Sequence, residues 1–528
     1  MKARVQVFFR SSDAVPLLTG LVVSLPLLFR NAVIHVFPMG YAGLFTQMAA
    51  QIADANFALP VSSPFYGPGG IPFAYPPLGL YLLALFIKFT GSTYFFLRWL
   101  PPLLSLLSAA LTFFLSKKFF NLPFAAMITM ILTAASFDLH TAHVWSAGIV
   151  RAPAFVFAIL FIYFYSPGAA GRSLKSSTIA GVFLGLAFLS HLAYGLFCLF
   201  WLATASASLP DWKPSIRAAF VTGVIAVLVS SVWIIPVVST HGWVVFSGAL
   251  NSHGGSQFLS GSFRWSGLLR LLYFNLAPIL ASPALAFLVL VGLIQLLLRR
   301  QFRFVFFFVL ITLFFPENAR FVSWLGCFIA GYGLWFVSIQ LSEWMGRFVR
   351  IPQYVWIFLA LCVLWWNGFA ALVRFSPLLT ESALDLQERR AEIFSGEGTY
   401  LALLAQDEAE WLPFLLEREP LVSQWGSEWL GMYDEQTRLM SLFQSCRKEK
   451  DWVCVMNVIG QMDEAPRFII TYRVERKLNG QISADDAWVE IHANGRYIVW
   501  AESEPRGGLG QVWESKKSQR VGVRGLFL

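Results

Sequence analysis

The sequence predicts a mostly α-helical polytopic membrane protein, a bundle of about eleven spans with a small extracytoplasmic α+β domain at its C-terminus. The chain of 528 residues is 57% hydrophobic and only 13% charged, whereas soluble proteins are about 25% charged. Residues 1–375 contain 22 Lys and Arg against six Asp and Glu, and residues 376–528 contain 17 against 24. Apolar stretches of span length occur only in the first part. This composition excludes a soluble enzyme, a disordered chain and a nucleic-acid binder.

Hydrophobic stretches define the predicted spans, since a helix needs about 20 mostly apolar residues to cross a bilayer. The stretch 177–209 is too long for one span at about 1.5 Å per residue, so we expect two short helices that meet near His191. The candidate spans are 14–34, 97–116, 122–138, 149–166, 177–191, 193–209, 217–237, 274–298, 303–316, 321–342 and 352–373.

Basic loops set the predicted orientation, because Lys and Arg accumulate on the cytoplasmic side of membrane proteins. With a cytoplasmic N-terminus, every tight basic cluster, including Lys117 and Lys118, lies inside if 76–90 does not cross. We therefore expect 76–90 to be a helix lying in the interface and 35–96 to be a long first outer loop. The chain is then an integral protein of the cytoplasmic membrane, with a domain of residues 1–375 and an extracytoplasmic domain of residues 376–528.

Charged residues in the predicted outer loops are the first candidates for a site, because ionisable groups at membrane depth are costly and usually serve a function or a partner. Arg151 and Arg320 each begin an apolar span at the outer edge. Either side chain could snorkel to lipid headgroups, but two guanidinium groups at one cavity suit a phosphate. Arg264 is a third candidate for the phosphate. Further candidates to contact substrate are Tyr41, Tyr75, His143 and Glu317.

Carboxylates and histidines of the same loops are the candidates for proton transfer. Asp138 is a candidate general base or polar anchor, although it could equally cap the next helix. Asp54 and His140 are the other candidate catalytic residues. The i, i+3 spacing of His140 and His143 beside Asp138 suggests a metal, but outer-loop histidines often only form hydrogen bonds. We expect no metal and no other cofactor.

The C-terminal domain reads as a mixture of helices and strands. Residues 384–394 and the stretch from Asp407 are predicted helices, while 467–474, 487–502 and 509–515 are predicted strands, the second a hairpin with an Asn-Gly turn. Cys446 and Cys454 are candidates for a disulfide in this outward domain. The domain shows no nucleophile–base pair, which favours recognition or a lid over chemistry.

Several segments together resemble the GT-C fold of polyprenyl-phosphate-dependent membrane glycosyltransferases, which include bacterial oligosaccharyltransferases and protein mannosyltransferases. The resemblance covers most of the chain. The matching segments are 38–60 (PMGYAGLFTQMAAQIADANFALP), 70–85 (GIPFAYPPLGLYLLAL), 146–160 (SAGIVRAPAFVFAIL), 181–197 (GVFLGLAFLSHLAYGLF), 317–334 (ENARFVSWLGCFIAGYGL) and, in uncharacterised bacterial members, 410–433 (EWLPFLLEREPLVSQWGSEWLGMY).

The resemblance implies roles and also reveals two departures. It implies that Arg320 holds the lipid phosphate. The family places a catalytic Asp immediately before the Gly-Tyr of the first outer loop, and Met39 stands there in this chain. Asp54 or Asp138 could take over the carboxylate role, the match could be shifted by several residues, or the chain could lack transferase activity. Arg151 lies where the family's second-loop acidic motif sits, which argues against a metal-dependent oligosaccharyltransferase mechanism.

The sequence thus predicts a membrane glycosyltransferase that transfers a sugar from a polyprenyl-phosphate donor. Its expected partners are the polyprenyl-phosphate-linked sugar, membrane lipid and an extracytoplasmic glycan, lipid or protein acceptor. An inactive GT-C relative that binds a lipid-linked sugar, a transporter or flippase, and a receptor acting through its tail remain alternatives. A transporter should show internal repeats and polar, interrupted helices near the midplane, and no clear repeat is visible.

Overall fold

The computed structural model divides the chain into two compact units. The first unit contains residues 1–63 and 72–379, and the second contains 64–71 and 380–528. The segment 64–71 of the first outer loop therefore packs with the C-terminal domain, which the sequence did not predict. The residues that the structure describes are 11–145, 148–166, 173–207, 212–250, 265–315 and 319–503.

The first unit is built almost entirely from apolar helices, which bury a common core of Phe, Leu, Ile and Ala side chains. A short segment, Thr141–Trp145, continues α6 as a π-helix. The helices are α1 (Ser11–Ile34), α2 (Gly43–Asp54), α3 (Leu78–Thr90), α4 (Thr93–Phe120), α5 (Pro123–Ala135), α6 (Phe137–His140), α7 (Gly148–Phe164), α8 (Leu174–Ser190), α9 (Leu192–Ala207), α10 (Trp212–His241), α11 (Val244–Leu250), α12 (Trp265–Leu280), α13 (Pro283–Leu298), α14 (Phe302–Phe314), α15 (Ala319–Met345) and α16 (Gln353–Leu372).

Among the described residues, five helices are long and apolar enough to cross a membrane, namely α1, α4, α10, α15 and α16, or up to seven if each of two bent pairs is one span. The predicted span over 274–298 is not one continuous helix. The chain turns by 105° between α12 and α13, because Ser282 caps α13 by accepting a hydrogen bond from the Leu285 amide and Pro283 occupies the first helical turn.

The predicted break near His191 is confirmed. Helix α8 ends at Ser190, His191 has an extended backbone, and α9 begins at Leu192. The His191 side chain stabilises this break, since its Nδ1 accepts a hydrogen bond from the Ala193 amide over 3.2 Å. The extended backbone of His191 divides the stretch into helices of 17 and 16 residues.

An ion pair between Asp13 and Lys117 joins the start of α1 to the end of α4. These two positions therefore lie at the same end of the first unit, so only one crossing out and one crossing back separate them. Helix α3, at 13 residues, is about 20 Å long, which is too short for the ~30 Å core of a bilayer. The ion pair thus agrees with the expectation that 76–90 does not cross.

The second unit is a small α+β domain with a four-stranded sheet in the order β3-β4-β6-β5. Strands β3 and β4 are parallel, and the other neighbours are antiparallel. Its strands are β3 (Tyr400–Leu403), β4 (Phe468–Tyr472), β5 (Trp488–Ala493) and β6 (Tyr497–Glu502), following the two-residue strands β1 (Ser62–Ser63) and β2 (Ile71–Pro72) of the first outer loop. Its helices are α17 (Glu381–Glu388), α18 (Arg390–Ile393), α19 (Gln406–Ala409), α20 (Leu412–Leu416), α21 (Tyr433–Glu449), α22 (Trp452–Ile459) and α23 (Arg476–Ser483), with a 3₁₀ turn at Ser427–Leu430.

The tail predictions agree with these elements where the structure describes them. The hairpin turns at Asn494-Gly495, between β5 and β6, and Asn494 Oδ1 accepts hydrogen bonds from the amides of Arg496 and Tyr497. Cys446 and Cys454 form the disulfide, which closes α21 onto α22. The predicted strand at 509–515 lies outside the described residues.

Candidate functional site

Gly40 fixes the loop that follows α1 against the π-helical segment. Its φ is +75°, a conformation that only glycine adopts without strain. A Cβ at this position would lie 1.6 Å from the Trp145 carbonyl oxygen. The backbones are thus in direct contact, which places Tyr41 beside the helices that follow Trp145. Met39, at the position of the family's catalytic Asp, is buried with 7% of its surface exposed.

Arg320 is the second residue of α15 and is half-buried at the start of that helix. Its guanidinium lies over two aromatic rings, 5.2 Å from the centroid of Tyr194 and 5.1 Å from that of Phe321. Within the part of the chain that the structure describes, Arg320 forms no ion pair, and its buried Nε has no hydrogen-bond partner. Among the described residues, no carboxylate therefore pairs with this positive charge.

Arg151 and Tyr41 lie within electrostatic range of Arg320. Arg151 is in the first turn of α7 and Tyr194 in the first turn of α9, so three helices present their N-terminal ends to one place. Helix N-termini favour anions through their free amides and their dipoles. The structure therefore brings together the two arginines that the sequence proposed for one phosphate, with Tyr41 beside them.

His143 and Tyr194 form a buried polar pair behind Arg320. The Nε2 of His143 lies 2.5 Å from the Tyr194 hydroxyl, and the same imidazole is hydrogen-bonded to the Leu139 carbonyl. Since a carbonyl only accepts, Nδ1 carries the proton and Nε2 accepts from Tyr194. His143 is 2% exposed and stacks on Phe155 with centroids 4.5 Å apart. His143 is therefore buried beside Tyr194, and its predicted contact with substrate stays a prediction.

Asp138 lies close to the same helix as Arg320. The carboxylate is half-buried. It faces Ser323 and lies within electrostatic range of Cys327, and both of these residues are on α15. Ser323 follows Arg320 by three residues, a rise of about 5 Å along the helix. The alternative role of Asp138 as a helix cap is not seen, because Ser136 caps α6. Asp138 therefore lies beside the first turns of α15, the helix that carries Arg320 at its start.

The other two candidate bases lie elsewhere. Asp54 is exposed at the C-terminal end of α2. Tyr41 precedes the other end of this helix, so at ~1.5 Å per helical residue the two are separated by about 20 Å along the helix axis. His140 is 2% exposed and faces a small cavity whose lining residues include His143 and Ser108 but neither arginine. The structure therefore does not bring Asp54 or His140 to the arginine pair.

Tyr75 packs edge-on against Phe45, with ring centroids 5.2 Å apart, and so serves the packing of α2. Arg264 and Glu317 lie outside the described residues. Sequence reasoning missed Tyr194, which stands within an apolar segment and gives no polar pattern of its own. The one available signal was its place directly after the break at His191.

Comparison with known proteins gives a match at the level of structure only. The sequence matches no protein-family model and no curated protein. The fold matches the archaeal oligosaccharyltransferase AglB from Archaeoglobus fulgidus in complex with an inhibitory peptide and a dolichol-phosphate, with a TM-score of 0.59 at 13% identity over 94% of this chain and 75% of that one. It also matches ArnT from Cupriavidus metallidurans bound to undecaprenyl phosphate, with a TM-score of 0.53 at 12% identity over 94% of this chain and 99% of that one.

Both matched proteins are GT-C glycosyltransferases. The chain has the GT-C fold. The comparisons thus support the sequence-based resemblance in its fold, with an integral membrane helical unit and a small α+β unit.

The resemblance raises the question of a divalent metal, and the described candidate residues do not fit one. Met39 offers a thioether where the resemblance implies a carboxylate, Asp54 lies at the far end of α2, and Asp138 faces Ser323. Divalent cations of this kind prefer several oxygen ligands. Among the described residues, no group of three or more His, Cys, Asp or Glu side chains could hold a metal ion.

Proposed function

We propose that this protein is a glycosyltransferase that transfers a sugar from a polyprenyl-phosphate donor to an extracytoplasmic acceptor. One observation supports this proposal above the others: the half-buried Arg320 pairs with no carboxylate among the described residues, lies within electrostatic range of Arg151, and is close to the N-terminal ends of α7, α9 and α15. A phosphate group is the anion that guanidinium forks and helix N-termini bind best. The matched AglB and ArnT structures contain dolichol-phosphate and undecaprenyl phosphate, respectively.

In the proposed reaction, negative charge develops on the leaving phosphate close to Arg320 and Arg151. The acceptor oxygen forms a bond to the anomeric carbon, while the bond from that carbon to the phosphate oxygen breaks and releases polyprenyl phosphate. Arg320 and Arg151 stabilise the charge that develops on this leaving phosphate. Asp138, which faces Ser323 on α15, takes the proton of the acceptor hydroxyl. Tyr194 keeps the guanidinium of Arg320 in place through its ring.

The test is donor binding and turnover by the purified full-length protein in nanodiscs, with labelled polyprenyl-phosphate hexoses and pentoses. We expect Arg320→Ala to weaken donor binding and to lower turnover by roughly 100-fold, the loss typical of one group that stabilises transition-state charge. Asp138→Asn should lower turnover by a similar factor and leave donor binding unchanged. Arg350→Ala, which removes an exposed arginine distant in sequence from the site, is the matched control.

The outcomes separate the alternatives. Donor binding that survives Arg320→Ala would contradict the phosphate site. Tight donor binding without turnover of any donor would instead favour an inactive protein that binds lipid-linked sugar. Full turnover of the Asp138→Asn variant would contradict Asp138 as the base and leave the phosphate site standing.

A further inference from the structure

A second small cavity lies within the C-terminal unit and has no part in the proposed transfer. It is partly open to solvent, and its interior has room for about one water-sized group. Strand β3, helices α19, α20 and α21, and the segment after Pro420 enclose it. The residues that line it are Tyr400, Ala402, Gln406, Ala409, Glu410, Pro413, Pro420, Val422, Ser423, Gln424, Trp425 and Met440.

Two buried oxygen atoms at this cavity make no hydrogen bond. The Tyr400 side chain is fully buried and the Gln424 side chain is 7% exposed, yet neither the Tyr400 hydroxyl nor Gln424 Oε1 has a partner. A buried polar atom without a partner is costly, and such atoms in native proteins call for an explanation. Both atoms are in the wall of a cavity, so a bound polar group would satisfy them together.

The charged residue that lines the cavity limits which kinds of polar group can bind there. Glu410 lines it, and burial together with the nearby Glu410 charge holds the pKa of Tyr400 well above its usual range. The Tyr400 hydroxyl therefore keeps its proton and can donate as well as accept. None of the described lining residues is cationic, so a phosphate would meet repulsion from Glu410 and no compensating charge.

The first outer loop supports the wall of this cavity. Tyr66, which is fully buried, donates its hydroxyl hydrogen to the Glu410 carbonyl over 2.8 Å. Ile71 of the same segment packs so closely on Gly426 that a Cβ there would lie 2.6 Å from Ile71 Cδ1. Residues 64–71 therefore fix the position of Glu410 and of the chain next to Trp425, so the wall of the cavity is held by contacts from a second segment.

We infer that this cavity is a recognition site for a saccharide, with one hydroxyl group of the sugar inserted between Tyr400 and Gln424. Sugar hydroxyls both donate and accept, which matches a wall that combines amides, hydroxyls and a carboxylate, whereas an ammonium group only donates. The rest of the sugar would stay outside the cavity, where the partly exposed indole of Trp425 offers contact to the C–H face of its ring. The choice of a saccharide over other hydroxylated molecules rests on the proposed function.

The test is equilibrium binding of methyl glycosides of hexoses and pentoses to the full-length protein, measured by calorimetry in nanodiscs, which have no sugar headgroups. We expect at least one glycoside to bind the wild type. Gln424→Met and Tyr400→Phe should each weaken that binding roughly tenfold, as the loss of one hydrogen bond predicts. Gln461→Met, the same change at an exposed position outside the cavity, should bind like the wild type.

The unfolding temperature of each variant shows whether a loss of binding reflects a loss of structure. Since the Tyr400 hydroxyl has no partner, Tyr400→Phe should unfold at the wild-type temperature or above it, so lost binding would not reflect lost structure. Binding of no glycoside, binding of a primary amine alone, or equal binding by wild type, Gln424→Met and Tyr400→Phe would overturn the inference. Because this assay contains no lipid donor, a protein that binds sugar without transferring it would contradict only the proposed function.

Discussion

The Tyr194 hydroxyl lies 2.5 Å from Nε2 of His143, while the face of the same tyrosine ring lies under the guanidinium of Arg320. Tyr194 therefore links a buried histidine to the cation that we propose for the donor phosphate. Because the Leu139 carbonyl accepts a hydrogen bond from His143, Nδ1 keeps its proton and the histidine is held in one tautomer. His143 and Tyr194 are positioning residues in this arrangement.

Removing the Tyr194 hydroxyl should impair catalysis, because this hydroxyl helps to position the ring that lies under Arg320. We expect Tyr194→Phe to lower kcat three- to tenfold and to destabilise the protein by about 1–2 kcal/mol, since His143 Nε2 loses its partner. At His143, Gln can still accept from Tyr194, whereas Leu cannot, so His143→Gln should retain more activity than His143→Leu. Steady-state kinetics of the three variants check this; equal kcat for His143→Gln and His143→Leu would refute the positioning role.

Gly40 should tolerate no side chain. We expect Gly40→Ala to destabilise the protein by more than about 3 kcal/mol, because the left-handed backbone alone costs ~1–2 kcal/mol in an alanine and the Cβ would collide with the Trp145 carbonyl. Gly69→Ala is the matched control, with a similar φ of +73° but no atom within 4 Å of its Cβ. Thermal unfolding should show a much smaller loss for Gly69→Ala; similar losses would mean that the Trp145 contact is unimportant.

The Cys446–Cys454 disulfide should stabilise the C-terminal unit. The bridge spans eight residues of sequence, and a loop of that size predicts about 2–3 kcal/mol from the chain entropy of the unfolded state. The double variant Cys446→Ser/Cys454→Ser should therefore unfold at a lower temperature than the wild type. Reductant should lower the unfolding temperature of the wild type but not that of the double variant, and an effect on both would point to another cause.

Stability should fall in acid through Asp385. Hydrogen bonds from Asn494 and then His492 lower the pKa of this carboxyl below its usual value. A lowered pKa favours the folded state above the unfolded-state value of ~3.9, and this contribution is lost as the pH falls through the folded-state pKa. Hydrogen exchange of the β5–β6 hairpin between about pH 6 and pH 3 should show the loss. Asp385→Asn should flatten this dependence, whereas Asp463→Asn, an exposed control, should not.

The orientation of the chain can be tested by labelling. In a Cys362→Ala background, which removes the exposed free cysteine, we expect Arg350→Cys to react only from the cytoplasmic side and Glu435→Cys only from outside. Both introduced positions are exposed. The expectation follows from the basic loops, which stay cytoplasmic. Labelling of both positions from the same side would contradict the predicted topology.

Local pattern predicted much of the fold, because helices, turns and caps depend mainly on neighbouring residues. The break at His191 followed from the length of the apolar stretch, and the turn at Asn494-Gly495 from its two residues. The bend inside 274–298 also has a local cause. Ser282 and Pro283 start a new helix, but the sequence pattern did not predict it because the residues on both sides are hydrophobic. Hydropathy averages over a window and cannot distinguish one long helix from two that meet at an angle.

The candidate site was less predictable, because it depends on which helix ends meet. The sequence alone determined that Arg151 and Arg320 begin apolar helices, that the first part is a membrane unit, and that the tail is a separate acidic domain. Only the tertiary structure decided that these arginines share one place with Tyr194, that Asp54 and His140 lie apart from them, and that residues 64–71 belong with the tail. Hydropathy and charge act along the chain, whereas packing between distant segments selects the side chains that meet.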